Sequence, residues 1–390
     1  MLCRPRRPVA TTARLGLVAL VPTLAACGAA DRHAAAPVRS ARQVPVAAPA
    51  PAPAPPPSCS AAVDGELRAI ARRIYAQATG GREVAAVRRR LGASAALAAA
   101  VARGDAAATL AALRPLEKNQ IRRIIITRGV HVLVDAGRTR ALAPVHGLVR
   151  DAAGRPVGRY VVAVNSEAGI AGVTASFTGA RVVIGAHVHA PVSVAATAWP
   201  AGPLRIGLWP AAPSASTCGP TAAATRAAVV EQAGRRLFAD ESGGAAARHV
   251  LHHVALDPGF QRAVATRDPA ALRAAIVRFF QDRTLHVVRI RATTPSGALI
   301  NDVGGPYVLA PASRTVRDAR GHAIGRVTLS IQDDAGYIKL LHRFTGVGVA
   351  LRTAAGVVPG GVTVPGTPVH YTVGAFPSGP LHVTLSVPPA

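Results

Sequence analysis

Residues 142–160 read LAPVHGLVRDAAGRPVGRY, and residues 309–327 read LAPASRTVRDARGHAIGRV. Both stretches open on Leu-Ala-Pro, carry Val-Arg-Asp in the middle and have Gly-Arg near the end, 167 residues apart. Three further pairs of segments match in the same order, namely 72–81 with 235–244, 101–113 with 264–276, and 198–208 with 375–385. Collinear matches of this kind indicate an internal duplication, with copies over residues 59–213 and 218–389.

Each copy places its helical patterns before its strand patterns. In the second copy, apolar residues on one face predict helices over 222–240 and 245–256, and Asp268 before Pro269 predicts the start of a third. Strand-like stretches follow, interrupted by a short helix that begins near DDAGYIKLLHRF. N-terminal helices followed by about five strands predict an α+β domain, in which the helices pack on an antiparallel sheet.

The N-terminus has the order of a secretory leader. Arginines are followed by the apolar run LGLVALVPTLAA and then by small residues directly before Cys27. This order resembles the lipobox of bacterial lipoproteins, whose cysteine receives a diacylglyceryl thioether and becomes the new N-terminus; an ordinary secretory signal is the alternative. We predict a signal peptide over residues 1–26 and a lipid anchor at Cys27, which would hold the chain on the extracytoplasmic face of the cell membrane.

Residues 27–58 are rich in alanine and proline and end in APAPAPPP. Such a composition favours extended polyproline geometry and cannot bury a core, so we predict a tether. Apart from Cys3 and Cys27, the cysteines are Cys59 and Cys218, one at the start of each copy. An even pair in an oxidising compartment favours a disulfide, and two free thiols in loops are the alternative.

The formal net charge is +26, carried almost entirely by arginine because Lys118 and Lys339 are the only lysines. Excess arginine and alanine together are typical of a GC-rich genome. The arginines are spread over both copies and are not interleaved with aromatic residues, and the predicted location is outside the cytoplasm. We therefore predict no nucleic-acid partner.

Residues 302–352, DVGGPYVLAPASRTVRDARGHAIGRVTLSIQDDAGYIKLLHRFTGVGVALR, resemble the Cache family of extracellular sensor domains, which are PAS-like. The resemblance implies tandem PAS-like domains and a small-molecule pocket between the sheet and the segment that connects its strands. The first copy shares the hairpin but has AVNSEAGIAGV where the second has SIQDDAGYIKL. Because no second hydrophobic span or output region follows, we expect a stand-alone lipoprotein that serves a membrane signalling partner or simply holds its ligand.

Five residues of the second copy are candidates for that pocket: Tyr307, Asp333, Asp334, Tyr337 and Lys339. One acid, Tyr337 and Lys339 at the pocket mouth would bind a polar ligand, and Tyr307 would line the same space. The alternatives are structural. The two acids would cap a helix, Lys339 would be solvated, and Tyr307 would be a half-buried strand residue.

The sequence carries no HExxH, GxSxG, Walker or CxxC motif, and the histidines of HVLHH (249–253) have no fourth ligand nearby. We therefore predict no enzyme activity, no cofactor and no metal site. The function predicted is extracytoplasmic binding or sensing of a small molecule. The alternative is a structural cell-envelope lipoprotein whose domains bind a protein partner and no small ligand.

Overall fold

The computed structural model describes residues 57–117, 121–137, 140–282, 284–305, 309–375 and 379–389. These residues lie within one compact unit, Pro53–Ala390. The predicted signal peptide, Cys27, most of the predicted tether and Tyr307 lie outside the described residues. None of the helices in the described ranges combines the length and the apolarity that a membrane span requires.

The first repeat begins with helices and continues with strands around one further helix. Its helices are α1 (Pro57–Gly80), α2 (Arg82–Ala93), α3 (Ala95–Arg103), α4 (Ala106–Glu117) and α5 (Glu167–Thr178). Its strands are β1 (Arg123–Arg128), β2 (His131–Gly137), β3 (Ala141–Leu142), β4 (Val145–Arg150), β5 (Pro156–Ala163), β6 (Arg181–Gly185), β7 (Val192–Trp199) and β8 (Gly202–Trp209). They form two antiparallel sheets, of orders β2-β1-β5-β4 and β3-β7-β8-β6.

The second repeat has a closely similar order of elements. Its helices are α6 (Ala222–Gly243), α7 (Ala245–Leu256), α8 (Pro258–Thr266), α9 (Pro269–Gln281) and α10 (Asp334–Thr345). Its strands are β9 (Arg289–Thr293), β10 (Leu299–Gly304), β11 (Ala312–Arg317), β12 (Ala323–Ser330), β13 (Gly348–Thr353), β14 (Gly356–Val357), β15 (Thr367–Ala375) and β16 (Gly379–Val387). The two antiparallel sheets have the orders β10-β9-β12-β11 and β14-β13-β16-β15.

The predicted α+β class, with helices ahead of antiparallel strands in each copy, is confirmed. Each repeat carries two four-stranded sheets, where the sequence predicts about five strands. Three strands of the second repeat are additional. One, β14, has only two residues, and the other two, β10 and β11, read LINDVG and ASRTVR and both lie at an edge of their sheet. A polar edge strand is partly exposed to solvent, so its sequence need not alternate between apolar and polar residues. That alternation is the pattern from which strands are predicted.

The Leu-Ala-Pro segments tie together the two sheets of each repeat. Leu142 pairs with Ala198 at one edge of its sheet, and Leu309 forms the corresponding bridge with Ala375. The alanine that follows each leucine, Ala143 or Ala310, has a φ of 53°, a left-handed conformation that is uncommon for alanine. The same backbone reversal at both positions supports the duplication read from the sequence.

The buried side chains form three clusters. One lies between α2–α4 and the sheet β2-β1-β5-β4, and its counterpart lies between α7–α9 and the sheet β10-β9-β12-β11. The third is shared by both repeats, because α1, α5, α6, α10 and the two remaining sheets all contribute to it. Within the described chain, the repeats are therefore joined by a common core.

Reciprocal contacts mark this junction. Arg236 on α6 donates to the carbonyl oxygen of Phe177 at 2.8 Å, near the C-terminus of α5. Arg73 on α1 lies against Gly346, the residue that follows α10. A guanidinium at a helix C-terminus compensates the negative end of the helix dipole. Phe177 and Phe344 meet edge to face between the two short helices, with ring centroids 5.0 Å apart.

Cys59 and Cys218 form a disulfide, with Cα atoms 5.5 Å apart. The bond joins the first turn of α1 to the segment just before α6. Between α1 and α6, the buried carboxylate of Glu66 accepts a hydrogen bond from Arg226 at 3.0 Å. Of the two alternatives for these cysteines, the disulfide is therefore the one present. It links α1 and α6, the long helices with which the two repeats begin.

Candidate functional site

Asp333 precedes α10 and acts as its N-cap. Its carboxylate accepts a hydrogen bond from the backbone N–H of Gly336 at 2.6 Å, while the side chain stays exposed. Lys339 is also exposed, two residues beyond Tyr337 and thus on a different side of the helix. Their predicted role in ligand binding stays a prediction, and the capping role of Asp333 is observed.

Asp334 lies in the first turn of α10 and is only 7% exposed. Burial, and secondly the neighbouring charge of Asp333, raise the pKa of this carboxyl to about 6. The equivalent residue of the first repeat, Glu167, instead forms an ion pair with Arg140 at 2.5 Å. The second repeat therefore holds an acid that changes charge in a range where an ordinary aspartate is already ionised.

Tyr337 points into the shared core and is 1% exposed. Its hydroxyl donates to the carbonyl oxygen of Gly234 at 3.0 Å and lies 2.5 Å from the hydroxyl of Tyr371. Burial raises the pKa of Tyr337 to about 12, so the phenol stays neutral. The structure therefore places Tyr337 in a packed, hydrogen-bonded interior, away from Lys339 and the exposed Asp333.

An open cleft lies on the first repeat, on the face of sheet β2-β1-β5-β4 that points away from α2–α4. We call it the Trp199 cleft. Its volume is about 410 Å³, and its lining includes Ile125, Thr127, His146, Leu148, Arg159, Val161 and Trp199. Ile125 and Val161 are buried at its base, on adjacent strands at paired positions. Apolar residues on both faces of β1 and β5 are therefore explained by a core on one face and a cleft on the other.

The wall opposite the sheet comes from the hairpin of β7 and β8. Trp199 at its tip is 41% exposed and meets the ring of His146 edge to face, with centroids 6.0 Å apart. The hydroxyl of Tyr75 on α1 accepts a hydrogen bond from the backbone N–H of Thr197 at 2.8 Å. The hairpin is thus held in place while its tryptophan remains available to a ligand.

The corresponding face of the second repeat is polar. Strand register places Arg291, Ser313 and Thr328 where the first repeat has Ile125, His146 and Val161. Ser313 and Thr328 bond to each other through their hydroxyls at 2.8 Å. The duplication alone thus does not require an apolar cleft, and the first repeat differs here in chemistry while keeping the same backbone.

A second depression lies on the helix side of the same sheet, between α2 and β4. We call it the arginine groove. Its volume is about 550 Å³, and it is lined by Ala85, Arg88, Arg89, Gly92, Gly147, Leu148, Arg150 and Tyr160. Arg88 and Arg89 are exposed and have no hydrogen bond or ion pair within the described residues. The groove therefore presents cationic donors without a carboxylate to neutralise them.

The sequence did not single out either depression. HGLV in β4 and the tryptophan lie some fifty residues apart in sequence, and nothing local indicates that they meet. One signal was present: RIIITR and RYVVAV carry consecutive apolar residues, a pattern typical of strands covered on both faces. In the described part of the chain, no group of three or more His, Cys, Asp or Glu side chains is arranged to hold a metal ion.

No protein-family model matches the chain, and no curated protein matches its sequence. Among solved structures, the chain is similar to the periplasmic domain of Vibrio cholerae LuxQ, at 11% identity and a TM-score of 0.29. The match covers 40% of this chain and 96% of that domain. A TM-score this low does not support assigning the fold or the role of that domain to this chain. The resemblance to Cache domains therefore rests on the residues quoted for it.

Proposed function

We propose that this chain is an extracytoplasmic binding module, and that its first repeat holds an apolar group of the ligand in the Trp199 cleft. The observation that carries the proposal is the cleft itself. It combines an apolar base at Ile125 and Val161 with an exposed tryptophan, and the second repeat has polar residues at the same positions. Concave sites with an apolar lining and a few polar groups at the rim are typical of ligand binding.

The location outside the cytoplasm is supported by two independent features. The leader-like order of residues 1–26 ends at Cys27, and Cys59 is joined to Cys218 by a disulfide. Disulfides persist in oxidising compartments and are rare in the cytosol. We propose lipid attachment at Cys27 as the anchor, which a mass spectrum of the membrane-extracted protein tests directly.

A protein-binding scaffold is the second candidate. It is favoured by the packed interior around Tyr337, where the Cache resemblance implies a small-molecule pocket. Both candidates predict binding at the first repeat, but they differ in the ligand: a free small molecule in one case, and a side chain of a partner protein in the other.

Tryptophan fluorescence tests occupancy of the cleft. Trp209→Phe leaves Trp199 as the single tryptophan, and phenylacetate and benzyl alcohol serve as matched charged and neutral aromatic probes. We expect a saturable change in Trp199 emission with at least one probe. The double variant His146→Ser/Leu148→Thr, which copies the second repeat, is expected to lose it, while Leu299→Thr on an exposed strand elsewhere keeps it. No saturable change with either probe would refute the proposal.

A further inference from the structure

Strand β4 is an edge strand with one neighbour. In the order β2-β1-β5-β4, it pairs with β5 and, within the described residues, with no other strand. Every second N–H and C=O of an edge strand points outward and is available to another extended chain. Six residues of β4 thus present about 20 Å of backbone for strand addition.

This edge lacks the protection that its counterpart carries. The middle of β11 reads Ser313, Arg314, Thr315, and the guanidinium of Arg314 bonds to His252 on α7 at 3.1 Å. The same positions of β4 are His146, Gly147 and Leu148. Charged side chains on an edge oppose pairing with a further strand, whereas an apolar, glycine-containing edge permits it.

The two depressions lie on opposite faces of this one strand. The Trp199 cleft is on the outer face and the arginine groove on the helix face, and Gly147, Leu148 and Tyr160 line both. Side chains of an extended chain alternate between the two faces of a sheet. A strand added beside β4 would therefore place alternate side chains in the cleft and in the groove, which is how strand addition obtains specificity.

The chemistry of each depression specifies what those side chains are. The cleft, with Ile125, Val161 and Trp199, fits apolar or aromatic groups. In the groove, a shift of register between Val149 and Arg150 interrupts the alternation, and Arg150 lines the helix side together with Arg88 and Arg89. Guanidinium groups bind carboxylates by charge-assisted hydrogen bonds, so the groove fits acidic residues.

Tyr160 provides an independent observation. Its side chain is 4% exposed and belongs to the core under α2–α4, yet its hydroxyl has no hydrogen-bond partner among the described residues and lies at the arginine groove. The ring reaches this position by crossing Gly147, where any Cβ would overlap it. In the second repeat, the equivalent pair is Val327 with Arg314. The ring is buried while the hydroxyl reaches the groove, where it is available to bond an incoming carboxylate or backbone group.

This inference rests on the proposed function, in which the Trp199 cleft binds an apolar group. We propose that this group belongs to an extended segment of a partner protein, in which acidic residues alternate with apolar ones. The segment adds to β4 as a fifth strand of the sheet. Its apolar side chains enter the Trp199 cleft, and its carboxylates meet Arg88, Arg89 and the hydroxyl of Tyr160 in the arginine groove.

Charge excludes two occupants that this chain itself could supply to the edge of β4, namely its own N-terminal segment and a second copy of the chain. Residues 1–56 of this chain contain one acid, Asp31, and so cannot supply carboxylates at alternate positions. Two copies of the chain joined through β4 would bring both sets of Arg88, Arg89 and Arg150 to one seam, where like charges repel. A partner of opposite charge fits the edge.

Peptide binding to the folded chain tests the proposal. The probe is a labelled seven-residue peptide that alternates glutamate with apolar residues; the control peptide has the same composition with its acids grouped at one end. We expect the alternating peptide to bind more tightly, to lose affinity as salt is raised, and to protect the backbone amides of β4 from hydrogen exchange. Equal affinity for the two peptides, or no protection of β4, would overturn the proposal.

Two variants locate the contact. Gly147→Arg/Tyr160→Val copies the pair that the second repeat already folds with, restores an edge charge and removes the phenol, and is expected to abolish peptide binding. Arg88→Ala/Arg89→Ala is expected to weaken it at least about fivefold. The charge-matched control is Arg262→Ala/Arg273→Ala, both exposed and on α8 and α9 of the second repeat, which is expected to bind normally. Unchanged binding by the first variant, folded by circular dichroism, contradicts strand addition.

The small aromatic probes separate this inference from the function on which it rests. If phenylacetate or benzyl alcohol binds the Trp199 cleft but no alternating peptide binds or displaces it, strand addition is wrong and the cleft remains a small-molecule site. If neither probe nor peptide binds, both proposals fail.

Discussion

Gly234→Ala is expected to destabilise the protein, although alanine is the better helix former. Gly234 lies in the interior of α6, where the substitution alone would stabilise the helix by about 1 kcal/mol. An added Cβ would overlap the hydroxyl of Tyr371 and lie 3.0 Å from its Cζ and 3.3 Å from the hydroxyl of Tyr337. Carbon atoms in contact prefer about 3.5–4.0 Å, so the two rings must shift.

The magnitude follows from opposing contributions. Overpacking a core costs about 1–3 kcal/mol, and losing the hydrogen bond between Tyr337 and Tyr371 costs about 1 kcal/mol more. Against the gain in helix propensity, the net expectation for Gly234→Ala is a loss of about 1–3 kcal/mol. Removing the obstructing hydroxyl in Gly234→Ala/Tyr371→Phe is expected to recover part of this loss.

Urea denaturation followed by circular dichroism measures the effect. The matched control is Gly65→Ala in α1, a helical glycine whose added Cβ has no atom within 4 Å, and it is expected to gain about 0.5–1 kcal/mol. The change in the free energy of unfolding is therefore expected to have opposite signs for the two glycines. Equal stabilisation by both substitutions would show that the tyrosine pair does not fill the space above Gly234.

Three further predictions concern charge, covalent linkage and the edge strand. Because folding raises the pKa of Asp334 to about 6, the folded state holds its proton more tightly, and this stability is lost as pH rises from about 4 to about 6. Asp334→Asn is therefore expected to be more stable than the parent by about 1–2 kcal/mol at pH 8 and equally stable near pH 4. A constant difference in stability across this range would contradict burial of the carboxyl. Cys59→Ser/Cys218→Ser removes a crosslink between residues 159 positions apart, for which chain entropy predicts a loss of about 5 kcal/mol. The urea midpoint is expected to fall in the variant; a reducing agent is expected to lower the midpoint of the parent in the same way and to leave that of the variant unchanged. Gly147→Ala is expected to cost about 1–3 kcal/mol by overlap with Tyr160, and Gly147→Ala/Tyr160→Val to regain it; failure of the second change to help would place the tyrosine ring elsewhere.

Much of the fold was accessible from local chemistry. In the second repeat, the predicted helix over residues 245–256 matches α7, and the predicted Asp268 N-cap accepts hydrogen bonds from Ala270 and Ala271 at the start of α9. An Asp-Pro pair and amphipathic spacing involve residues within one or two helical turns, so they can be recognised without knowing which elements pack against the helix. Helix α8 (Pro258–Thr266) was missed although it begins with the same local signal, Asp257 as N-cap directly before Pro258.

The candidate site shows the opposite case. Tyr337, Asp334 and Lys339 share one short helix, and their sequence is compatible with a pocket or with a core. The contact with Gly234, about a hundred residues earlier, decides that Tyr337 is interior. Likewise, His146 meets Trp199 only because the hairpin of β7 and β8 folds over the outer face of the first sheet.

The sequence by itself therefore determined the duplication, the α+β class, the positions of the caps and the pair of cysteines, because each depends on residues close together in the chain or on an identity between two segments. Only the tertiary structure decided that the repeats share a core, that a tyrosine pair fills the interior of the second, and that an apolar cleft and a cationic groove flank one open edge of the first. Those outcomes depend on which faces of helices and strands pack together once long loops have closed. A pattern along the chain shows which face of an element is apolar, but it does not show which other element covers that face.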